Sequence, residues 1–127
     1  MPKEVINPPN VHRPRGYSHA FKVGNTVYVA GQAPYDLEGN LVGKGDLAKQ
    51  AEQAYENLKR VLEAAGATMA DLVMVTWYLR NVDDFAKTGD ATRKYFQRPY
   101  PPGTAVGVTR LMNPDALIEV DAVAVIG

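Results

Sequence analysis

The stretch that most restricts what this chain can become is Ile118-Glu119-Val120-Asp121-Ala122-Val123-Ala124-Val125-Ile126. At a period of two, Ile118, Val120, Ala122, Ala124 and Ile126 share one face, and Glu119, Asp121, Val123 and Val125 share the other. The second face begins acidic and ends purely apolar, which the solvated side of an ordinary sheet does not do. Something must cover it, with two carboxylates near the margin of the cover. A second strand-like run follows Tyr100-Pro101-Pro102-Gly103 and reaches this one through a turn containing Asn113 and Pro114.

The rest of the chain supplies one layer of cover. Residues 1–16 hold four of the nine prolines and few core-forming side chains, so an extended or looped arm is expected there, carrying a cationic cluster of His12, Arg13 and Arg15. Phe21-Lys22-Val23, Gly24-Asn25 and Thr26-Val27-Tyr28-Val29-Ala30 read as a hairpin, and Gly31-Gln32-Ala33-Pro34 bends or ends its second strand. After a glycine-rich loop, Asp46 stands at an N-cap position. Leu47, Ala51, Ala54, Leu58, Val61, Leu62 and Ala65 then recur at helical spacing up to Gly66. Residues 71–80 are apolar on both parities, as in a central strand, and a βαβ unit with parallel pairing is the default. Asp83 or Asp84 is placed to cap a second helix running to about Phe96.

The expected order is β-β-α-β-α-β-β: an α/β (α+β) sandwich, one domain over residues 1–127, with two helices on one face of a mixed sheet. Two helices cannot cover both faces. The remaining face is expected to be buried against further copies under closed cyclic symmetry.

Composition removes several alternatives. Fourteen basic residues balance fourteen acidic ones, so no net field draws in nucleic acid or an anionic membrane. The absence of cysteine excludes disulfides, thiolate metal sites and thiol nucleophiles. His12 and His19, seven residues apart on looped sequence, make a poor metal pair. No apolar run approaches the ~20 residues of a membrane span, and a soluble, cytoplasmic protein without membrane or nucleic-acid partners is expected.

Several segments, in this order and spacing, carry a resemblance over nearly the whole chain. They are Gly16-Tyr17-Ser18, Val29-Ala30-Gly31-Gln32, Gln53-Ala54-Tyr55-Glu56-Asn57-Leu58, Leu62-Glu63-Ala64-Ala65-Gly66, Asp84-Phe85, Val108-Thr109-Arg110-Leu111 and Ile118-Glu119-Val120-Asp121-Ala122. Together they resemble the Rid family, also called YjgF-type or reactive intermediate deaminase proteins. The resemblance implies a chorismate-mutase-like homotrimer whose strands close a central barrel, with three small-molecule clefts between subunits. It also implies cofactor-free hydrolysis of amino-acid-derived imines or enamines to a keto acid and ammonia.

By the same resemblance, Glu119 falls on the glutamate that orients water, and Tyr17 on a tyrosine lining the pocket. Gly103 falls on the position that binds the substrate carboxylate; with Thr104 it can offer backbone N–H groups to a ligand oxygen, and Gly31 and Ala105 are further candidate substrate-binding residues. The pattern departs at one place. Where the family has Pro-x-Arg-Ser, this chain has Pro101-Pro102-Gly103-Thr104, so Gly103 replaces the arginine whose guanidinium forks onto the substrate carboxylate. Arg110 is no substitute: it lies seven residues along an extended strand, roughly 23 Å at ~3.3 Å per residue, and on the opposite parity. Losing such a pair costs on the order of 1.5 to 3 kcal/mol of binding, a tenfold to more than hundredfold weakening.

Three possibilities follow. The first is a hydrolase of imine- or enamine-like metabolites that is not a standard 2-imino acid deaminase, with Glu119 as its catalytic group. The second is a deaminase that takes its cation from Arg13 or Arg15. The third is a non-catalytic ligand-binding or regulatory trimer.

Overall fold

In the computed structural model, which describes residues 1–127, six strands form one mixed sheet. The elements are β1 (Lys3–Ile6), β2 (Ala20–Val23), β3 (Thr26–Gln32), α1 (Leu47–Ala64), β4 (Leu72–Leu79), α2 (Gly89–Tyr95), β5 (Gly103–Gly107) and β6 (Ile118–Val125), in the spatial order β1-β2-β3-β6-β4-β5. The α+β class, with two helices against a mixed sheet, is as the sequence predicts.

Three local expectations are corrected. The proline-rich arm contributes a strand: Lys3-Glu4-Val5-Ile6 pairs antiparallel with β2, Ile6 opposite Ala20, before Pro8 and Pro9 end it. β3 and β4 do not pair. The C-terminal β6 inserts between them, antiparallel to both, and β4 separates β6 from β5. The C-terminal β6 thus takes the place beside β3 that parallel pairing would have given to β4. The second helix begins as a 3₁₀ segment, Val82–Thr88, and its cap is Asn81, whose side chain accepts from Asp83 N, rather than Asp83 or Asp84.

α1 follows its sequence closely. Asp46 Oδ1 accepts from Lys49 N at 3.1 Å. Two hydrogen bonds, Gly66 N to Glu63 O and Ala67 N to Leu62 O, close its other end. Leu58, Val61 and Leu62 pack with Val27, Val75, Leu79, Ile118 and Val120, all without exposed surface. Two polar side chains sit in this otherwise apolar face and fix it to the loops. Gln50 donates to the carbonyls of Gly43 and Asp115 and accepts from Leu117 N, while Asn57 donates to those of Ala33 and Tyr35. These bonds hold both loops that flank Glu119.

The opposite sheet face carries no helix. Tyr28, Val123 and Met74 stand side by side across β3, β6 and β4, and Tyr28, Met74 and Val125 are about half exposed.

Candidate functional site

β6 delivers Glu119 to the sheet face away from the helices, in register with Tyr78 of β4. A register shift in β3 between Val29 and Gln32 turns Gly31 toward it. A Cβ at position 31 would lie 2.0 Å from Glu119 Oε1 and 2.9 Å from its Cδ. Glycine at 31 is therefore what lets the carboxylate lie down against the β3 backbone.

Glu119 is partly buried, and burial, followed by the nearby Asp121, holds its carboxyl above the ordinary glutamate range. Asp121 accepts a hydrogen bond from the Tyr78 hydroxyl at 2.8 Å. That bond, with burial, pushes the Tyr78 phenol up.

The N-terminal arm closes one side. Arg15 and Tyr17 join Ala30, Gly31, Ala33, Tyr35, Met112, Asn113, Ala116 and Glu119 around a cleft of about 460 Å³. Burial raises the Tyr17 phenol, and Tyr35 and Glu119 act in the same direction. A second cavity of about 470 Å³ lies behind Tyr17, and it is this one that Arg13 lines, with Asn7, Pro8, Pro9, Val11, Pro14 and Leu37. Tyr17 forms a wall of both. Of the two arginines offered by the sequence, only Arg15 shares the cleft with Glu119.

Behind Tyr17 is a cluster the sequence did not point to. His19 and Gln32 have no exposed surface and His12 almost none. His19 Nε2 donates to the His12 carbonyl at 2.7 Å, Gln32 Nε2 donates to His19 Nδ1 at 3.1 Å, and His12 Nε2 lies 3.3 Å from Tyr17 Oη. The His12 ring meets His19 and Tyr35 edge-on. Two isolated histidines on looped sequence gave no signal of this. Tyr35, Met112, Asn113 and Ala116 were likewise not foreseen, because loops converge by tertiary packing.

Gly103, Thr104 and Ala105 stand elsewhere within the chain. They open β5 at the sheet edge, with Gly103 beside Val75, and β4 lies between them and Glu119. A Cβ on Gly103 would meet Trp77 Cζ3 at 2.3 Å. Arg110 donates to the carbonyls of Leu111 and Met112 within its own loop. No group of three or more His, Cys, Asp or Glu side chains is arranged to hold a metal ion, and no helix is long and apolar enough to cross a membrane.

A carboxyl of raised pKa beside a tyrosine and a guanidinium can hold water against an electrophilic carbon and receive its proton. Comparisons with known proteins bear on that chemistry. Residues 10–126 match the family model described as Endoribonuclease L-PSP. A RutC family protein of Pyrococcus abyssi is 46% identical, with 98% of each chain covered. The 2-iminobutanoate/2-iminopropanoate deaminase of Dermatophagoides farinae is 40% identical, again with 98% of each covered. The crystal structure of RidA from an Antarctic Psychrobacter is 34% identical and superimposes with a TM-score of 0.89, over 97% of this chain and 99% of that one. These likenesses run over nearly the full length, and the chain belongs to the Rid (YjgF-type) family.

Proposed function

We propose that this protein is a cofactor-free hydrolase of imine- or enamine-like small metabolites, working as a homotrimer with its clefts at the subunit boundaries. Glu119 is its water-orienting group. The observation that carries this reading is the seat of Glu119: a carboxyl laid over Gly31, raised in pKa by burial and Asp121, in a cleft with Tyr17 and Arg15. Water held by this carboxylate adds to the carbon of a C=N group and gives one proton to the carboxylate, which passes it to the nitrogen to form a carbinolamine. The new hydroxyl's proton then travels the same way to the nitrogen as the C–N bond breaks, leaving C=O and ammonia. Gly31 gives the carboxylate its room, and Tyr17 closes the cleft.

Trimer formation is supported by the uncovered apolar face around Tyr28, Met74, Val123 and Val125, which a soluble chain buries against its own copies. Assembly also gives Gly103, Thr104 and Ala105 their role, since a neighbouring copy's β5 edge can complete a cleft that one chain leaves open. A trimer is expected in sedimentation at micromolar concentration; a monomer would overturn this part. Nucleic acid is not the proposed partner, because the charge balance is zero.

With Gly103 in place of the carboxylate-binding arginine, standard 2-imino acids are poor substrates in this reading. A second reading has one observation in its favour. Arg15 lines the Glu119 cleft, so a deaminase whose cation comes from Arg15 is favoured over one using Arg13. Freshly generated 2-iminobutanoate, with keto-acid release followed in the parent, Glu119→Gln and Arg15→Ala proteins, separates them. Release that requires both residues supports the Arg15 deaminase. No release from 2-iminobutanoate, but Glu119-dependent hydrolysis of imines without a carboxylate, supports the first reading. No hydrolysis of either leaves a binding or regulatory trimer.

A further inference from the structure

The buried histidines behind Tyr17 carry more than packing. His19 has its tautomer fixed: Nε2 faces the His12 carbonyl, which can only accept, so Nε2 bears the proton and Nδ1 accepts from Gln32. His12 has one polar partner, the Tyr17 hydroxyl at Nε2, while its Nδ1 is buried with none. Burial, with His19 beside it, pushes His12 down to about 4, so at neutral pH the ring has a single N–H to give. If Nδ1 held it, an N–H donor would be sealed in the interior without an acceptor. If Nε2 holds it, only a lone pair goes unused, and this is also the form neutral histidine ordinarily favours. Orphaned buried N–H groups are the rarer and costlier defect.

We infer that His12 is a positioning residue for the cleft: its Nε2–H donates to Tyr17 Oη, and Tyr17 is thereby set to donate its own proton toward Glu119 and whatever lies over it. A tyrosine whose oxygen is engaged from behind has its O–H free for the cleft side, where it suits a ligand presenting a carbonyl or carboxylate oxygen. The inference deepens the proposed function and rests on it for the ligand, but the tautomer itself does not depend on catalysis.

The test is free of ligand. Long-range 1H–15N correlation of the histidine rings in the unaltered protein at neutral pH is expected to show the Nε2–H form for His12; the Nδ1–H form overturns the inference. The second measurement follows the ionisation of Tyr17 by 13C NMR. A donor to Oη stabilises the phenolate, so His12→Phe is expected to move the Tyr17 midpoint to higher pH by about one pH unit, the size of a weak charge-assisted hydrogen bond. His12→Gln, which keeps an N–H, is expected to recover part of the shift. A midpoint that falls in His12→Phe means that Tyr17 donates to His12, and the inference is wrong. Should His12→Phe not fold, the tautomer spectrum of the parent decides. Imine hydrolysis in Glu119→Gln bears only on the proposed function.

Discussion

Trp77 occupies the place where a side chain at position 103 would begin. The indole edge stands 2.3 Å (Cζ3) and 3.0 Å (Cη2) from the site of the missing Cβ, and Trp77 Nε1 donates to the buried Tyr55 hydroxyl at 2.9 Å, so the ring is not free to swing away. Phe85 and Phe96 pack on it. The glycine at 103 is thus tied to a tryptophan two residues further along the partner register.

Gly103→Ala is expected to destabilise the fold by about 1–3 kcal/mol, because its methyl group would force the packed Trp77 indole to shift. Urea unfolding of Gly103→Ala, Trp77→Val and the double variant checks this. The double variant should be more stable than the sum of the single effects, because the smaller residue at 77 makes room for the methyl group. For the same reason Gly103→Arg alone should give no gain of 2-imino acid hydrolysis; the Trp77→Val background is where a gain is to be sought.

Gly31→Ala acts on the site itself. The new Cβ would stand 2.0 Å from Glu119 Oε1, and the movable partner is the end of the glutamate side chain, so the carboxylate leaves its seat at modest cost to the fold. In the proposed mechanism this costs turnover about as much as Glu119→Gln. It also returns the Glu119 carboxyl toward its ordinary range as burial is relieved. Carboxyl 13C titration of the variant, beside its unfolding midpoint, separates the loss of the seat from loss of the fold.

Asp121 gives the pH dependence a handle. Burial is the larger cause of the raised Glu119 carboxyl and Asp121 the smaller. A raised carboxyl is ionised, and able to hold water as a base, only at higher pH than an ordinary glutamate. The acid limb of a Glu119-dependent activity is therefore expected above the ordinary glutamate value. Asp121→Asn should move that limb to lower pH without reaching the ordinary value, because burial persists. A limb that does not move in Asp121→Asn would show that the two carboxyls do not sense one another.

What the sequence made legible follows from where periodicity carries information. α1, its Asp46 cap and its Gly66 end were readable because one face repeats over five turns, and β6 because apolar residues recur at every second position along its whole length. The seating of Glu119 was half readable: its parity placed it on the uncovered face, but the register shift that brings Gly31 beneath it is a property of β3 against β6. β1 was hidden because four residues before two prolines are too short to show a period. The insertion of β6 between β3 and β4 was hidden because a strand apolar on both parities says that it is central, not which neighbours it has. Gln50, Asn57, His19 and Gln32 are polar residues with no exposed surface or almost none. Each is buried because a specific backbone group or ring meets it, and no composition or spacing announces such a partner.

Folding is linked to the protonation of His12. The neutral ring is buried, and its value of about 4 against an ordinary 6.5 arises first from burial and then from His19, with Asp36 opposing. The folded state thus takes up the proton less readily than the unfolded state. The stability this represents is fully present above about 6.5 and is lost as the pH falls toward 4, because the unfolded chain gains a proton the folded one refuses. The whole window is worth on the order of 3 kcal/mol at most. Ordinary carboxylates also titrate near its lower end, so the range from about 6.5 to 5 is the diagnostic part. In that range the parent should lose stability with falling pH, and His12→Gln, which has no proton to gain, should show a flatter curve whatever its absolute stability. Denaturant unfolding at intervals of pH provides the measurement. Parallel curves for the two proteins would mean that His12 is as easily protonated in the fold as out of it, which a ring sealed behind Tyr17 does not allow.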